Sequence, residues 1–189
     1  AVTGTNGKTS VADLYFQILN LNKIPTASVG TLGVKYKKKT DKSDLTTPDT
    51  LNLHRSLQKI KKNNINNVII ETSSHGLHQK RLDHLDFKAG IFTNFSQDHL
   101  DYHKTMAKYL NAKLHLFRNV IKKRRVIICD RTIKEFFLLK RISKKRKLKL
   151  IDSNKIAEKL KKNALSNLSE FHLKNLSMAI EAAKLNGLR

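Results

Sequence analysis

The sequence has 189 residues, enough to bury one core as a single domain. Thirty-eight Lys and Arg against fifteen Asp and Glu leave a formal charge of +23, and a single cysteine, Cys129, excludes an internal disulfide framework. No apolar run approaches a membrane span and no signal peptide is evident, which predicts a soluble chain without membrane insertion; the single cysteine suits a cytoplasmic location, and a monomer is expected.

In chain order, the apolar stub Ala1-Val2-Thr3 reads as the end of a strand entering Gly4-Thr5-Asn6-Gly7-Lys8-Thr9-Ser10. This is a phosphate-binding loop. Its glycines let successive N–H groups point into one concavity, Lys8 brings charge to the β- and γ-phosphates, and the Thr9 hydroxyl can hold Mg²⁺. The general pattern wants glycine where Val2 stands, so the setting must carry the assignment. Val11–Leu19 supplies it as an amphipathic helix whose N-terminal dipole adds to the same spot. So short a first strand, opening on Ala1, predicts a domain excised from a longer protein.

Further strands are predicted at Thr26–Gly30, Val68–Thr72, Ala89–Thr93, Val126–Cys129 and Leu148–Ile151. A helix starts at Pro48 with Thr47 as its N-cap, carries Leu51, Leu53, Leu57 and Ile60 as an apolar stripe, and runs out at Asn63-Asn64. Met106–Ile121 and Glu135–Ile142 are two more helices. Such alternation predicts an α/β fold, a mostly parallel P-loop-type sheet with helices on both faces. Ligands of such sheets bind beyond the carboxyl ends of the strands.

The chemistry-bearing residues fall at that rim. One strand delivers Glu71-Thr72-Ser73-Ser74-His75-Gly76, a carboxylate and hydroxyls suited to a hard, oxygen-seeking cation; a salt bridge to a lysine is the plainer role for Glu71. The next ends in Asn94-Phe95-Ser96-Gln97-Asp98-His99-Leu100-Asp101-Tyr102-His103, a metal or acid–base candidate in which a capped polar turn would account for Asp101 or His103. Lys113, between Leu110, Leu114 and Phe117, reads by spacing as a surface lysine with its stem on apolar neighbours. Aromatics sit mostly at apolar, core-like positions rather than along the basic runs, which favours solvated lysine faces over nucleic-acid binding. A basic P-loop module that only binds nucleotides or nucleic acid is one reading of this chain.

Five ordered motifs then carry a resemblance: Gly4–Thr9, Thr46-Thr47-Pro48-Asp49, Glu71–Leu77 with Gln79 and Arg81, Thr93–His103, and Ala112-Lys113. Together they resemble the central ATPase domain of the Mur ligases, in particular the MurE branch of UDP-N-acetylmuramoyl-tripeptide synthetases. The strong match covers residues 1–118 of a domain spanning 1–189, with a weaker echo at Phe171-His172-Leu173-Lys174-Asn175 and the Ala-rich helix Ala179–Leu185. The resemblance implies ATP-dependent amide-bond formation through an acyl phosphate in peptidoglycan precursor synthesis. By similarity Gly4, Thr5, Asn6, Gly7, Lys8, Thr9 and Asn94 hold ATP, and Lys8, Glu71, His99 and Lys113 are catalytic. Thr9 and Glu71 would hold one Mg²⁺, and His99 with Lys113, as a carbamate, a second. Thr46, Thr47, Ser73, Gln79 and Arg81 would grip UDP-MurNAc-dipeptide, and the incoming amino acid would be meso-diaminopimelate or L-lysine.

The chain also departs from the family pattern. Cys129-Asp130-Arg131 replaces an Asn/Asp-rich segment near the nucleotide, His172 stands where Asn is preferred, and residues 152–170 are shortened to a Lys- and Asn-rich helical stretch. The N-terminal UDP-binding and C-terminal amino-acid-selecting domains lie outside the sequence. The fragment alone is therefore expected to be inactive.

Overall fold

The computed structural model describes residues 1–163 and 167–188. Four parallel strands form one half of the sheet in the order β1 (Val2–Thr3), β6 (Ala89–Phe92), β7 (Val126–Cys129), β8 (Lys149–Asp152). The other half runs β4 (Lys39–Asp41), β3 (Gly33–Tyr36), β2 (Thr26–Gly30), β5 (Asn67–Ile70), with β5 parallel to β2 and the β2–β3–β4 meander antiparallel. A parallel bridge from Val2 to Glu71 joins β1 to the end of β5. The expected mostly parallel sheet is present. The edge meander was not expected, because three-residue β4 is too short and too exposed to leave a pattern.

Alternation along the strands sends side chains to two separate cores. Ile70, Phe92, Ile127 and Cys129 face α2 (Thr50–Lys62), α5 (Met106–His115) and α6 (Phe136–Arg146). Val2, Ile69, Ile91 and Ile128 face α1 (Lys8–Leu21) and α8 (Glu170–Lys184). The helices therefore cover both faces, as expected. Among the described residues no helix is long and apolar enough to cross a membrane.

Several boundaries differ from expectation, each for a physical reason. Asp49, not Thr47, caps α2, its carboxylate accepting from Asn52 N at 2.9 Å. The Thr47 hydroxyl is needed inside, where it donates to the Glu71 carbonyl at 2.8 Å. Leu51 is 60% exposed because it lies about 200° around the helix from buried Leu53. The helix expected over Met106–Ile121 leaves α-geometry after His115 and closes through a π-helical turn, Leu116–Val120, that buries Leu116, Phe117 and Val120 together. Helix α6 outruns its predicted end at Ile142 to Arg146, its basic last turn complementing the carbonyl end of the dipole. The Ala-rich segment Ala179–Leu185 closes α8, whose N-cap is Ser169 and whose C-cap is Leu185. After β8 the chain forms α7 (Asn154–Asn163), consistent with a helical 152–170 stretch; residues 164–166 of that stretch lie outside the described residues.

Candidate active site

Strand β1 ends at Thr3 and α1 begins at Lys8, so the phosphate loop is a connection of four residues, Gly4 to Gly7. Gly7 takes φ +83° as the N-cap, and a Cβ there would collide with the Asn175 side chain of α8 at 2.6 Å. The loop is clamped from β6: Thr5 N donates to Asn94 O at 2.9 Å, Asn6 N to Asn94 Oδ1 at 2.9 Å, and Thr93 Oγ1 to Asn6 O at 2.6 Å. Asn94 thus holds the shape of the loop. The first turn of α1 leaves its N–H groups without helical partners, which makes this end an anion site.

Two lysines converge on the loop. Lys8 Nζ donates to Gly4 O at 3.0 Å and Thr5 O at 2.8 Å, and Lys113 Nζ donates to the same Gly4 O at 2.7 Å. Lys113 is 1% exposed, against the spacing-based reading of a surface lysine. Helical register explains the correction: Tyr109, one turn earlier, stacks its ring 4.5 Å from Nζ and bonds its hydroxyl to Thr5 Oγ1 at 3.2 Å. Burial, and then the Lys8 charge, lower the Lys113 pKa to about 7, with Asp98 opposing. Lys8 is also lowered by burial, while Glu71 and Asp98 pull it upward.

Glu71, 1% exposed, closes the other side of the loop. Its Oε2 accepts from Thr9 Oγ1 at 2.7 Å, and its Oε1 from Thr31 N at 3.0 Å. Gly30 is required beside it, since a Cβ there would overlap the carboxylate. A hydroxyl and a carboxylate pointing at one place form an oxygen set that fits Mg²⁺. Among the described residues no three His, Cys, Asp or Glu converge as a metal cluster, so a second cation beside His99 needs an oxygen donor that an unmodified Lys113 lacks.

One cavity of about 340 Å³ is lined by Lys8, Thr46, Thr47, Ser73, Gln79, Arg81, His99 and Lys113, with Leu45, Ser74 and His75. Arg81 Nη1 donates to Thr47 O at 2.6 Å and Arg81 Nε to Gln79 Oε1 at 2.9 Å, so Gln79 and Arg81 form one unit over the threonines. Ser73 caps α3 (Ser74–His78), and its N–H donates to Thr47 Oγ1 at 2.8 Å. His99 takes φ +51° at the start of α4 (Leu100–His103), its ring edge-on to His75 with centroids 5.0 Å apart. His103, which a capped surface turn was expected to explain, is instead buried among His75, His78, Tyr102 and Tyr109. Burial, and then the neighbouring histidines and Lys113, depress its pKa to about 4.

Sequence reasoning missed Thr31, Tyr109 and the place of Asn175. Tyr109 had a signal, the i to i+4 spacing to Lys113. Asn175 is 1% exposed with Nδ2 unpartnered, beside Gly7 across 168 residues of chain. No local pattern announces such a contact.

Comparison with known proteins adds the following. The model of the Mur ligase middle domain matches residues 2–185. A UDP-N-acetylmuramoyl-L-alanyl-D-glutamate–2,6-diaminopimelate ligase of Bradyrhizobium diazoefficiens is 50% identical over 121 residues, covering 64% of this chain and 25% of that protein. The ligase of the same name from Rickettsia bellii is 42% identical over 155 residues, covering 80% and 33%. A solved structure of a ligase of that name superposes over 100% of this chain and 43% of its own, with TM-score 0.81 and 26% identity. A Mycobacterium tuberculosis folylpolyglutamate synthase, solved with ADP and AMPPCP, shares the fold at TM-score 0.61 and 14% identity, over 80% of this chain and 41% of its own. The chain spans a quarter to a third of the length of these curated relatives.

Proposed function

The chain belongs to the Mur ligase middle-domain family, and from that premise we propose that it is the ATP-handling core of a cytoplasmic, monomeric amide-bond ligase of peptidoglycan precursor synthesis. The substrate is UDP-N-acetylmuramoyl-L-alanyl-D-glutamate, and the incoming amino acid is meso-diaminopimelate, the one named for the relatives, with L-lysine as the other choice. A UDP-binding domain before the core and an amino-acid-selecting domain after it complete the enzyme. The reading is supported most directly by the single cavity that gathers the phosphate-loop lysine, the Thr46-Thr47 pair, Gln79, Arg81, His99 and Lys113.

When bound, ATP and Mg²⁺ would supply a phosphoryl donor and charge neutralisation, so that the substrate carboxylate takes the γ-phosphoryl group as ADP leaves and presents an acyl phosphate from which an amine can displace phosphate. The amine loses a proton as the amide forms, and phosphate leaves. The residues of the chain do the positioning. Gly4 to Thr9 cradle the phosphates; Lys8 turns from the loop carbonyls to the charge developing on the transferred group. Thr9 and Glu71 hold one cation, and His99 with carbamylated Lys113 holds a second. A lysine with pKa near 7 presents the neutral amine that carbamylation requires. Thr46, Thr47, Ser73, Gln79 and Arg81 orient the peptide carboxylate toward the phosphates.

The complete enzyme is expected to release phosphate from ATP only when UDP-MurNAc-dipeptide and an amino acid are both present. Release that ignores the muropeptide and responds to DNA would replace this reading with that of a basic nucleic-acid-binding module.

A further inference from the structure

Thr31 lies just beyond β2, on the two-residue turn whose flanking Gly30 and Gly33 pair with each other. It bonds Glu71 beside the phosphate loop and Thr46 in the cavity wall. Its N–H donates to Glu71 Oε1 at 3.0 Å; its hydroxyl lies 3.3 Å from Glu71 Oε2 and 3.1 Å from Thr46 Oγ1. Glu71 Oε2 is the same oxygen that accepts from Thr9 of the phosphate loop at 2.7 Å. A continuous row of polar groups, Thr9–Glu71–Thr31–Thr46, thus connects the nucleotide side to the peptide side.

A threonine hydroxyl carries one proton. At Thr31 that proton has two acceptors within reach, Glu71 Oε2 and Thr46 Oγ1, and it can serve only one at a time. With the peptide side empty, Thr46 donates to Thr31 and Thr31 to the carboxylate, because the charged acceptor is the stronger. When an acceptor oxygen of a bound peptide takes the Thr46 proton, Thr46 Oγ1 becomes the acceptor for Thr31. The Thr31 proton then leaves Glu71 Oε2, which keeps the Thr9 hydroxyl as its donor and, with one hydrogen bond fewer, becomes a stronger oxygen donor to a cation. The backbone N–H of Thr31 stays on Oε1 throughout and keeps the carboxylate in place.

We propose that Thr31 is a positioning residue that couples the two subsites: peptide engagement at Thr46 turns the Thr31 hydroxyl away from Glu71 and readies that carboxylate for the cation of the bound nucleotide. Linkage makes the effect reciprocal, so a cation on Glu71 also primes Thr46 to donate to the peptide. The inference rests on the ligase reading for the identity of the two ligands. The geometry that carries it lies within the chain.

The test is calorimetric titration of the full-length protein with Mg²⁺ and a non-hydrolysable ATP analogue, with and without saturating UDP-MurNAc-dipeptide. In the wild type the dipeptide should tighten nucleotide binding by about fivefold or more. Thr31→Val keeps the N–H and the shape but removes the hydroxyl, and should bring that ratio close to one. Thr31→Ser should restore it. An undiminished ratio in the valine variant, or a serine variant as uncoupled as valine, overturns the proposal. Wild-type protein that binds neither ligand would instead refute the ligase reading on which the identities rest.

Discussion

Replacing Lys113 by methionine is expected to abolish ATP turnover by the complete enzyme and at the same time to make the protein more stable at and below neutral pH. The ammonium is 1% exposed, shares Gly4 O with Lys8 and has its pKa lowered to about 7. An unfolded lysine titrates near the ordinary 10.5. Between those values the unfolded chain binds more protons than the folded one, so stability rises with pH across that window. Below about pH 7 the penalty is fully present, with an upper bound of about 5 kcal/mol. Methionine fills the same volume without charge. Denaturant unfolding in CO₂-depleted buffer should therefore show a wild type that gains stability from pH 7 to pH 10 and a variant that starts higher and stays flat. A variant less stable than wild type at pH 7 contradicts the buried-charge account. The loss of turnover, about 10²- to 10³-fold or more, follows from removing one charge-stabilising group of the site.

Glu71→Gln is expected to cost about 1–3 kcal/mol of stability and 10²- to 10³-fold in turnover. Donors converge on both carboxylate oxygens, Thr31 N on Oε1 and the Thr9 hydroxyl on Oε2. An amide that keeps its oxygen on the Thr31 N–H turns its NH₂ to the place of Oε2, where the Thr9 and Thr31 hydroxyls must reverse from donors to acceptors and lose their charge-assisted bonds. It also removes the anionic oxygen from the Thr9 pair. Nucleotide affinity reports this without turnover: chelating Mg²⁺ should weaken binding to the wild type and leave the variant unaffected. Equal sensitivity to chelation in both proteins would remove Glu71 from the cation site.

Much of this arrangement was legible in the residues themselves. Apolar runs such as Val68-Ile69-Ile70 and Val126-Ile127-Ile128 have the length and β-branching of buried parallel strands, and the glycines of Gly4–Lys8 announce a backbone that must curl. What stayed hidden depended on contacts distant in sequence. Thr47 precedes Pro48 and so suits a cap, yet the carbonyl of Glu71, 24 residues away, claims its hydroxyl. The apolar neighbours of Lys113 suit a surface lysine with a snorkelling stem. Only the approach of α5 to Gly4, 109 residues earlier, shows that its ammonium is buried. The motifs' resemblance to the Mur ligases recovered Lys113 where spacing failed. It did not reach Thr31, whose importance lies in a turn between two strands of which only the first was expected.

The proposed reaction activates the substrate carboxylate by phosphorylation at the cavity lined by Lys8, Thr46, Arg81 and Lys113. It is tested most directly by giving the full-length protein UDP-MurNAc-dipeptide labelled with ¹⁸O in its terminal carboxyl, together with ATP and diaminopimelate, and weighing the phosphate released. Transfer of one labelled oxygen from the carboxyl to each phosphate is the predicted result. Unlabelled phosphate formed alongside the tripeptide product would contradict the acyl-phosphate route and the roles assigned to these residues.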